Sequence, residues 1–165
     1  MSAQSSTDSI VKKTVLKAPR DRVWRAISDS KQYGAWFGAE FDGAFVAGAK
    51  LTATIVPTKA DAAIAASQEP YRGRTFTFEV EQVEPQSRIA FRWHPYAIDP
   101  AVDYSTEATT LIVFELADAP GGHTALTITE SGFDKIPLAR RAEAFRMNDG
   151  GWTMQLQLIE KYLAQ

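Results

Sequence analysis

Apolar and polar positions recur with two periods along this chain, and the changes of period mark its elements. Ile10 to Lys17 carries Val11 and Val15 on one parity with lysines between them, which predicts an opening strand near a sheet edge. Ala18-Pro19 ends it, and Pro19 suits the start of a helix. Val23, Trp24 and Ile27 then give one apolar face to a short helix running to about Ser28. Asp29 or Ser30 caps a second short helix that ends in Ala35-Trp36-Phe37-Gly38. Helices this short are not stable alone, so both are expected to plug a larger structure, with Trp36 and Phe37 as the plug.

Period-two alternation then takes over. Phe41 to Val56 reads as two short strands separated by Gly43 and Gly48, with Leu51, Ala53 and Ile55 alternating against Thr52 and Thr54. Tyr71 to Glu84 is expected as the longest strand, with Phe76, Phe78 and Val80 on one face. A turn at Glu84-Pro85-Gln86-Ser87 leads to a strand with Ile89, Phe91 and Trp93 on its apolar face, stopped at Pro95. A polar, proline-bearing loop comes next; Thr109 to Leu116 resumes the sheet, Asp118 to His123 is a hairpin turn, and Ala125 to Ser131 is the last strand. Residues 57–70, alanine-rich and bounded by prolines, read as one helical turn or a mobile flap. Leu138 to Met147 is helical, and Gly150-Gly151 leaves open whether it is continuous with the terminal helix.

The final stretch, Asn148 to Gln165, organises the rest. At about 100° per residue, Trp152, Leu156, Ile159 and Leu163 form one stripe, and Leu158, Tyr162 and Met154 widen it to roughly 200°. A surface helix needs a stripe of only about 100°. This helix therefore belongs in a concave seat, and the strands upstream supply a bent antiparallel sheet to make one.

Composition narrows the function classes. At 165 residues, with 45% hydrophobic and 23% charged, the chain reads as one globular domain over residues 10–165 behind a frayed polar tail, residues 1–9. Eighteen basic against 20 acidic residues leave a formal charge of -2, which gives no electrostatic case for nucleic acid. The absence of cysteine removes disulfides and thiolate chemistry, and two histidines without ligand spacing argue against a metal. Nothing suggests a signal peptide or a membrane span, so a cytoplasmic protein without cofactor is expected.

An ordered set of short motifs carries a family resemblance: Ala18-Pro19 with Val23-Trp24 and Ala26; Trp36-Phe37-Gly38; Glu84-Pro85 before Ile89-Ala90-Phe91-Arg92-Trp93; Thr124 to Ile128; Ser131-Gly132-Phe133; and Gly151-Trp152 with Leu156 and Ile159. In this the chain resembles the bacterial relatives of the activator of heat shock protein 90 ATPase, within the START/Bet v 1-like (SRPBCC) superfamily. The resemblance implies an α+β helix-grip fold: a curved antiparallel β-sheet wrapped around a long C-terminal helix, with two short helices after the first strand. It also implies a pocket between sheet and helix that binds small, largely apolar molecules in many relatives. It is specific for fold and weak for function, since one fold hosts many tasks.

Candidate residues emerge from both readings. Alternation sets Glu130 on the face of Leu126 and Ile128, as a carboxylate at the cavity wall or at a wet strand end. His94 has the parity of Ala90 and Arg92, opposite to the apolar face, which suits tying down the next loop better than catalysis. Tyr96, with Asp103 and Tyr104, lies where it either closes the pocket mouth or packs on the surface. Trp36, Phe37, Phe76, Phe78, Phe91, Trp93, Trp152 and Leu156 are core residues of which a subset is expected to line the pocket. Arg140, Arg141 and Arg146 read as a solvated face.

Three functions come out of this, in order. The first is binding of a small apolar ligand, without nucleic-acid or membrane partner, by a monomer or weak homodimer. The second is acid/base chemistry by Glu130 with Tyr96 or His94. The third is a chaperone contact, with a part in the stress response.

Overall fold

The computed structural model describes residues 7–165. Its elements in chain order are β1 (Ser9–Leu16), α1 (Arg20–Ser28), α2 (Ser30–Phe37), β2 (Ala39–Phe41), β3 (Lys50–Ile55), α3 (Ala62–Gln68), β4 (Thr75–Glu84), β5 (Arg88–Trp93), β6 (Thr110–Ala119), β7 (His123–Ser131) and α4 (Leu138–Leu163). The strands form one curved antiparallel sheet in the order β1-β7-β6-β5-β4-β3-β2, open at both edges. A register shift between Val80 and Gln82 bends β4 against β5, as an extra residue on one strand does. The architecture is the α+β helix-grip fold.

Inward and outward residues alternate as the sequence requires. Along β7, Thr124, Leu126, Ile128 and Glu130 are buried and their neighbours are not. Leu51, Ala53, Phe78, Val80, Ile89, Phe91, Ile112 and Phe114 extend the same core across β3 to β6. On the other side α1 and α2 plug it: Val23, Ala26, Ile27, Tyr33 and Trp36 are all fully buried, and Trp36 Nε1 donates to the Ala26 carbonyl at 2.9 Å. Asp29 caps α2 through its carboxylate, and Gly38 closes it in the left-handed region at φ 101°.

Several boundaries differ from the sequence reading, each for a local reason. The terminal helix does not begin at Asn148 but continues unbroken from Leu138, through Gly150 and Gly151. Two helical glycines cost about 1 kcal/mol each against alanine, and the buried flanks at Ala144 and Trp152 carry the helix across them. The strand expected from Tyr71 starts at Thr75, because Glu69–Tyr71 forms a 3₁₀ turn and Gly73 reverses the chain at φ 87°. At ten residues it equals β6 rather than exceeding it.

Residues 57–70 contain a seven-residue helix rather than a free flap. Asp61 caps it by accepting from the Ile64 amide at 2.9 Å and pairs with Lys161 of α4. Gln68 accepts from the Thr58 amide at 2.7 Å. Of the tail expected over residues 1–9, residues 1–6 lie outside the described part. Thr7 and Asp8 bond to the turn after β7, and Ser9 already pairs with Ser131.

Candidate functional site

The inward face of the sheet and the buried face of α4 meet at Glu130. Its side chain is 0% exposed, and four groups donate to it. Trp93 Nε1 of β5 and Thr110 Oγ1 of β6 reach Oε2 at 2.7 and 2.6 Å. Trp152 Nε1 of α4 reaches Oε1 at 2.8 Å, and Asn148 Nδ2 sits 3.0 and 3.2 Å from the two oxygens. The two indoles and the Asn148 NH₂ can only donate, the Thr110 hydroxyl can donate or accept, and none of the four partners is a cation. The network joins three strands to the helix and is satisfied without water.

Beside this network lies a cavity of about 60 Å³, open to the surface and lined by Phe37, Trp93, Asn148, Gly151, Trp152 and Gln155. The centroids of Phe37, Trp93 and Trp152 are 5.9–6.2 Å apart. Gln155 donates Nε2 to the Phe37 carbonyl at 3.1 Å, while its Oε1 is buried with no partner. Aromatic rings fill the rest of the space between sheet and helix. Tyr33 is fully buried among Trp36, Phe37, Phe41, Phe45, Phe78, Phe91 and Phe114. Its hydroxyl also has no partner. Burial, and then the negative charge of Glu130, push that phenol well above its ordinary range.

The expected site residues therefore separate into groups. Phe37, Trp93 and Trp152 line the cavity, and Glu130 stands behind the two indoles. Trp36, Phe78 and Phe91 are sealed in the core, and Phe76 and Leu156 are half-buried packing at its border. His94 places Nε2 3.2 Å from the Glu107 carbonyl, at the end of the loop after β5. Tyr96 lies close to Glu143 of α4; burial and then that carboxylate raise its pKa. Neither His94 nor Tyr96 is among the groups that bond Glu130.

Arg140 departs from the expected solvated face: it donates to Glu107 at 2.8 Å and to the Pro95 carbonyl at 2.7 Å, and lies over the Tyr104 ring. It thus pins the whole 95–107 loop. Arg141 turns back to the Ile136 carbonyl at 3.0 Å.

Asn148, Gln155 and Thr110 were missed by sequence reasoning, although signals for them exist. Asn148, Trp152 and Gln155 stand at i, i+4 and i+7, so they share one face of α4. Thr110 has the parity of Ile112 and Phe114, which sends it inward. A second concavity, of about 390 Å³, lies between α2 and β2, lined by Ser30, Lys31, Gly34, Glu40, Pro57 and Lys59 among others, away from Glu130. Among the described residues no cluster of His, Cys, Asp and Glu could hold a metal ion, and no helix is long and apolar enough to cross a membrane.

Comparison with known proteins places this geometry. Solved structures share the fold at low identity. Protein MLL2253 from Mesorhizobium loti is 20% identical, with a TM-score of 0.68 over 94% of this chain and 96% of that one. A protein from Arthrobacter aurescens, solved by NMR, reaches 0.72 at 15% identity, covering 99% and 91%. The Aha1 dimer from Colwellia psychrerythraea gives 0.64 at 16% identity, covering 94% and 95%. No curated protein matches the sequence. The family model for "Activator of Hsp90 ATPase homolog 1-like protein" matches residues 17–164, from the end of β1 to the end of α4, and the chain belongs to that family.

Proposed function

We propose that this chain binds a small, largely apolar ligand in the cleft between α2, β5 and α4. The observation that carries the reading is a solvent-open cavity lined by three aromatic residues, with the polar side chain of Gln155 at its wall. Such a mixture, mostly apolar with a single well-placed polar group, is what small-molecule sites have in common. At about 60 Å³ the cavity is well below the ~300 Å³ of a drug-sized pocket, so only part of a ligand enters it.

Acid/base catalysis has less support, because the Glu130 oxygens are already engaged by four groups, His94 sits against the Glu107 carbonyl, and Tyr96 is not among the Glu130 partners. The test is titration with the neutral probe N-phenyl-1-naphthylamine while following tryptophan fluorescence. Saturable quenching that Trp93→Leu abolishes is expected; the absence of any saturable change refutes the reading. The family description also names an activator of the Hsp90 ATPase. A stoichiometric Hsp90 complex in a pull-down would turn the assignment toward a chaperone contact.

A further inference from the structure

The concavity between α2 and β2 has no part in the Glu130 network. At about 390 Å³ it falls within the ~300–1,000 Å³ of small-molecule sites, well above the cleft beside Trp93. Two exposed lysines line it, Lys31 at the start of α2 and Lys59 after β3. Lys31 and Ala35 share a face of α2, being one turn apart, and the Lys59 amide donates to the Ala35 carbonyl at 2.9 Å. The fold thus brings both lysines to the same side of the helix. Neither ammonium enters any ion pair of the described residues.

The other wall is the free edge of the sheet. Val56 N–H donates to the Gly38 carbonyl and Asp42 N–H to the Thr52 carbonyl, at 3.1 and 3.2 Å, with Glu40 opposite Thr54 between them. Ladder bonds of an antiparallel pair fall on alternate residues, so Gly38, Glu40 and Asp42 bond toward β3. The N–H and C=O of Ala39 and Phe41 therefore point to the open side. At Ala39 the helix closes over that edge: a Cβ on Gly34 would stand 2.1 Å from the Ala39 carbonyl oxygen, so glycine alone permits the approach. No backbone group among the described residues bonds Phe41 from the open side, which leaves its N–H as a fixed donor where Phe41 lines the concavity.

Charge selects the class of ligand. Glu40 is the one carboxylate among the lining residues, against two ammoniums, and the nearby Asp29 carboxylate accepts from the Lys31 amide as the cap of α2. The excess is positive. Ala35, Val56 and Pro57 supply apolar surface beside it.

We propose that this concavity is a second ligand site, for a small organic oxyanion: a carboxylate or phosphate head held between Lys31 and Lys59, with the apolar body against Val56 and Pro57. It goes beyond the apolar-ligand reading and does not depend on it, since no lining residue is common to the two sites.

The experiment titrates phenylacetate, phenyl phosphate and 2-phenylethanol into the full chain, reading the amide ¹H–¹⁵N signals of Lys31, Gly34, Phe41 and Lys59 by NMR. The Trp93 and Trp152 indole signals report the cleft separately. An oxyanion is expected to shift the four amides saturably and to bind about tenfold more tightly than the alcohol, the combined effect of two exposed charge contacts. The tighter of the two anions identifies the head group. Equal or tighter binding of the alcohol, shifts at the indoles alone, or no saturable shift overturns the proposal, and only the last of these also counts against the cleft. Lys31→Gln with Lys59→Gln is expected to remove that tenfold while leaving the thermal midpoint unchanged, because both side chains are exposed and outside every ion pair. Lys13→Gln with Lys17→Gln deletes the same charge at β1, the opposite edge of the sheet, and is expected to change the affinity less than about twofold. An equal loss in both double variants means a general attraction of anions to the protein and overturns the proposal.

Discussion

Replacing Glu130 by glutamine changes shape hardly at all and hydrogen bonding profoundly. The carboxylate offers two acceptor oxygens to Trp93, Thr110, Asn148 and Trp152. A glutamine offers one oxygen and one NH₂. With NH₂ in the Oε1 position it faces the Trp152 indole N–H; in the Oε2 position it faces that of Trp93. Thr110 can rotate its hydroxyl to accept, but an indole can only donate, so one buried N–H is orphaned either way. That costs about 1–3 kcal/mol, and the surviving bonds fall to roughly half their charge-assisted strength.

Relief of the desolvated charge acts in the opposite sense, but it does not restore an acceptor to the orphaned indole. The net expectation is a loss of about 3 kcal/mol, or roughly 6–12 °C in Tm for a chain of this size. Thermal unfolding followed by circular dichroism measures it. Glu81→Gln is the control: it breaks the exposed Arg92–Glu81 pair and is expected to cost less than about 1 kcal/mol. A Glu130→Gln Tm equal to or above that of the parent would refute a network in which both indoles depend on Glu130 as acceptor.

Four further outcomes are expected. Tyr33→Phe removes a buried hydroxyl that has no partner, so it should leave stability unchanged or raise it by about 1 kcal/mol in urea unfolding; a loss above that would show a bond to Tyr33 Oη. The raised pKa of Tyr33 implies stability that is intact below the ordinary tyrosine value of about 10 and declines as pH rises above it, and ultraviolet titration should find Tyr33 ionising last of the five tyrosines. Gly150→Ala, whose added Cβ meets nothing within 4 Å, should stabilise α4 by about 1 kcal/mol; destabilisation would argue against a continuous helix there. Lys161, then the Ile64 amide, hold the Asp61 carboxyl below its ordinary value. The anchoring of α3 should therefore persist above about pH 3.9 and be lost only as pH falls through the lower folded value, read from the Ile64 amide shift; a transition centred at or above pH 3.9 would contradict it.

Alternation and capping made the faces legible. Glu130 shares the parity of Leu126 and Ile128, and that alone set it inward; Trp93 came from Phe91 in the same way. The bonds these residues make were not legible. Trp93, Thr110, Asn148 and Trp152 lie 37, 20, 18 and 22 residues from Glu130. Which of two inward indoles reaches one carboxylate depends on sheet register and helix placement. Arg140 was misread for the same reason: its partners, Glu107 and the Pro95 carbonyl, belong to a loop whose path no local pattern dictates.

Local periodicity by itself determined the sheet, the two plugging helices and the apolar flank of the terminal helix, because side-chain direction is a property of backbone repeat. Tertiary structure decided how much space stays open between sheet and helix. That space is a difference between the enclosed volume and the summed volumes of rings from α2, β4, β5, β6 and α4, and a small difference of large quantities cannot be read from any one segment. Here Tyr33, Phe78, Phe91 and Phe114 occupy nearly all of it, and what remains is the cleft of about 60 Å³ beside Trp93 and Trp152.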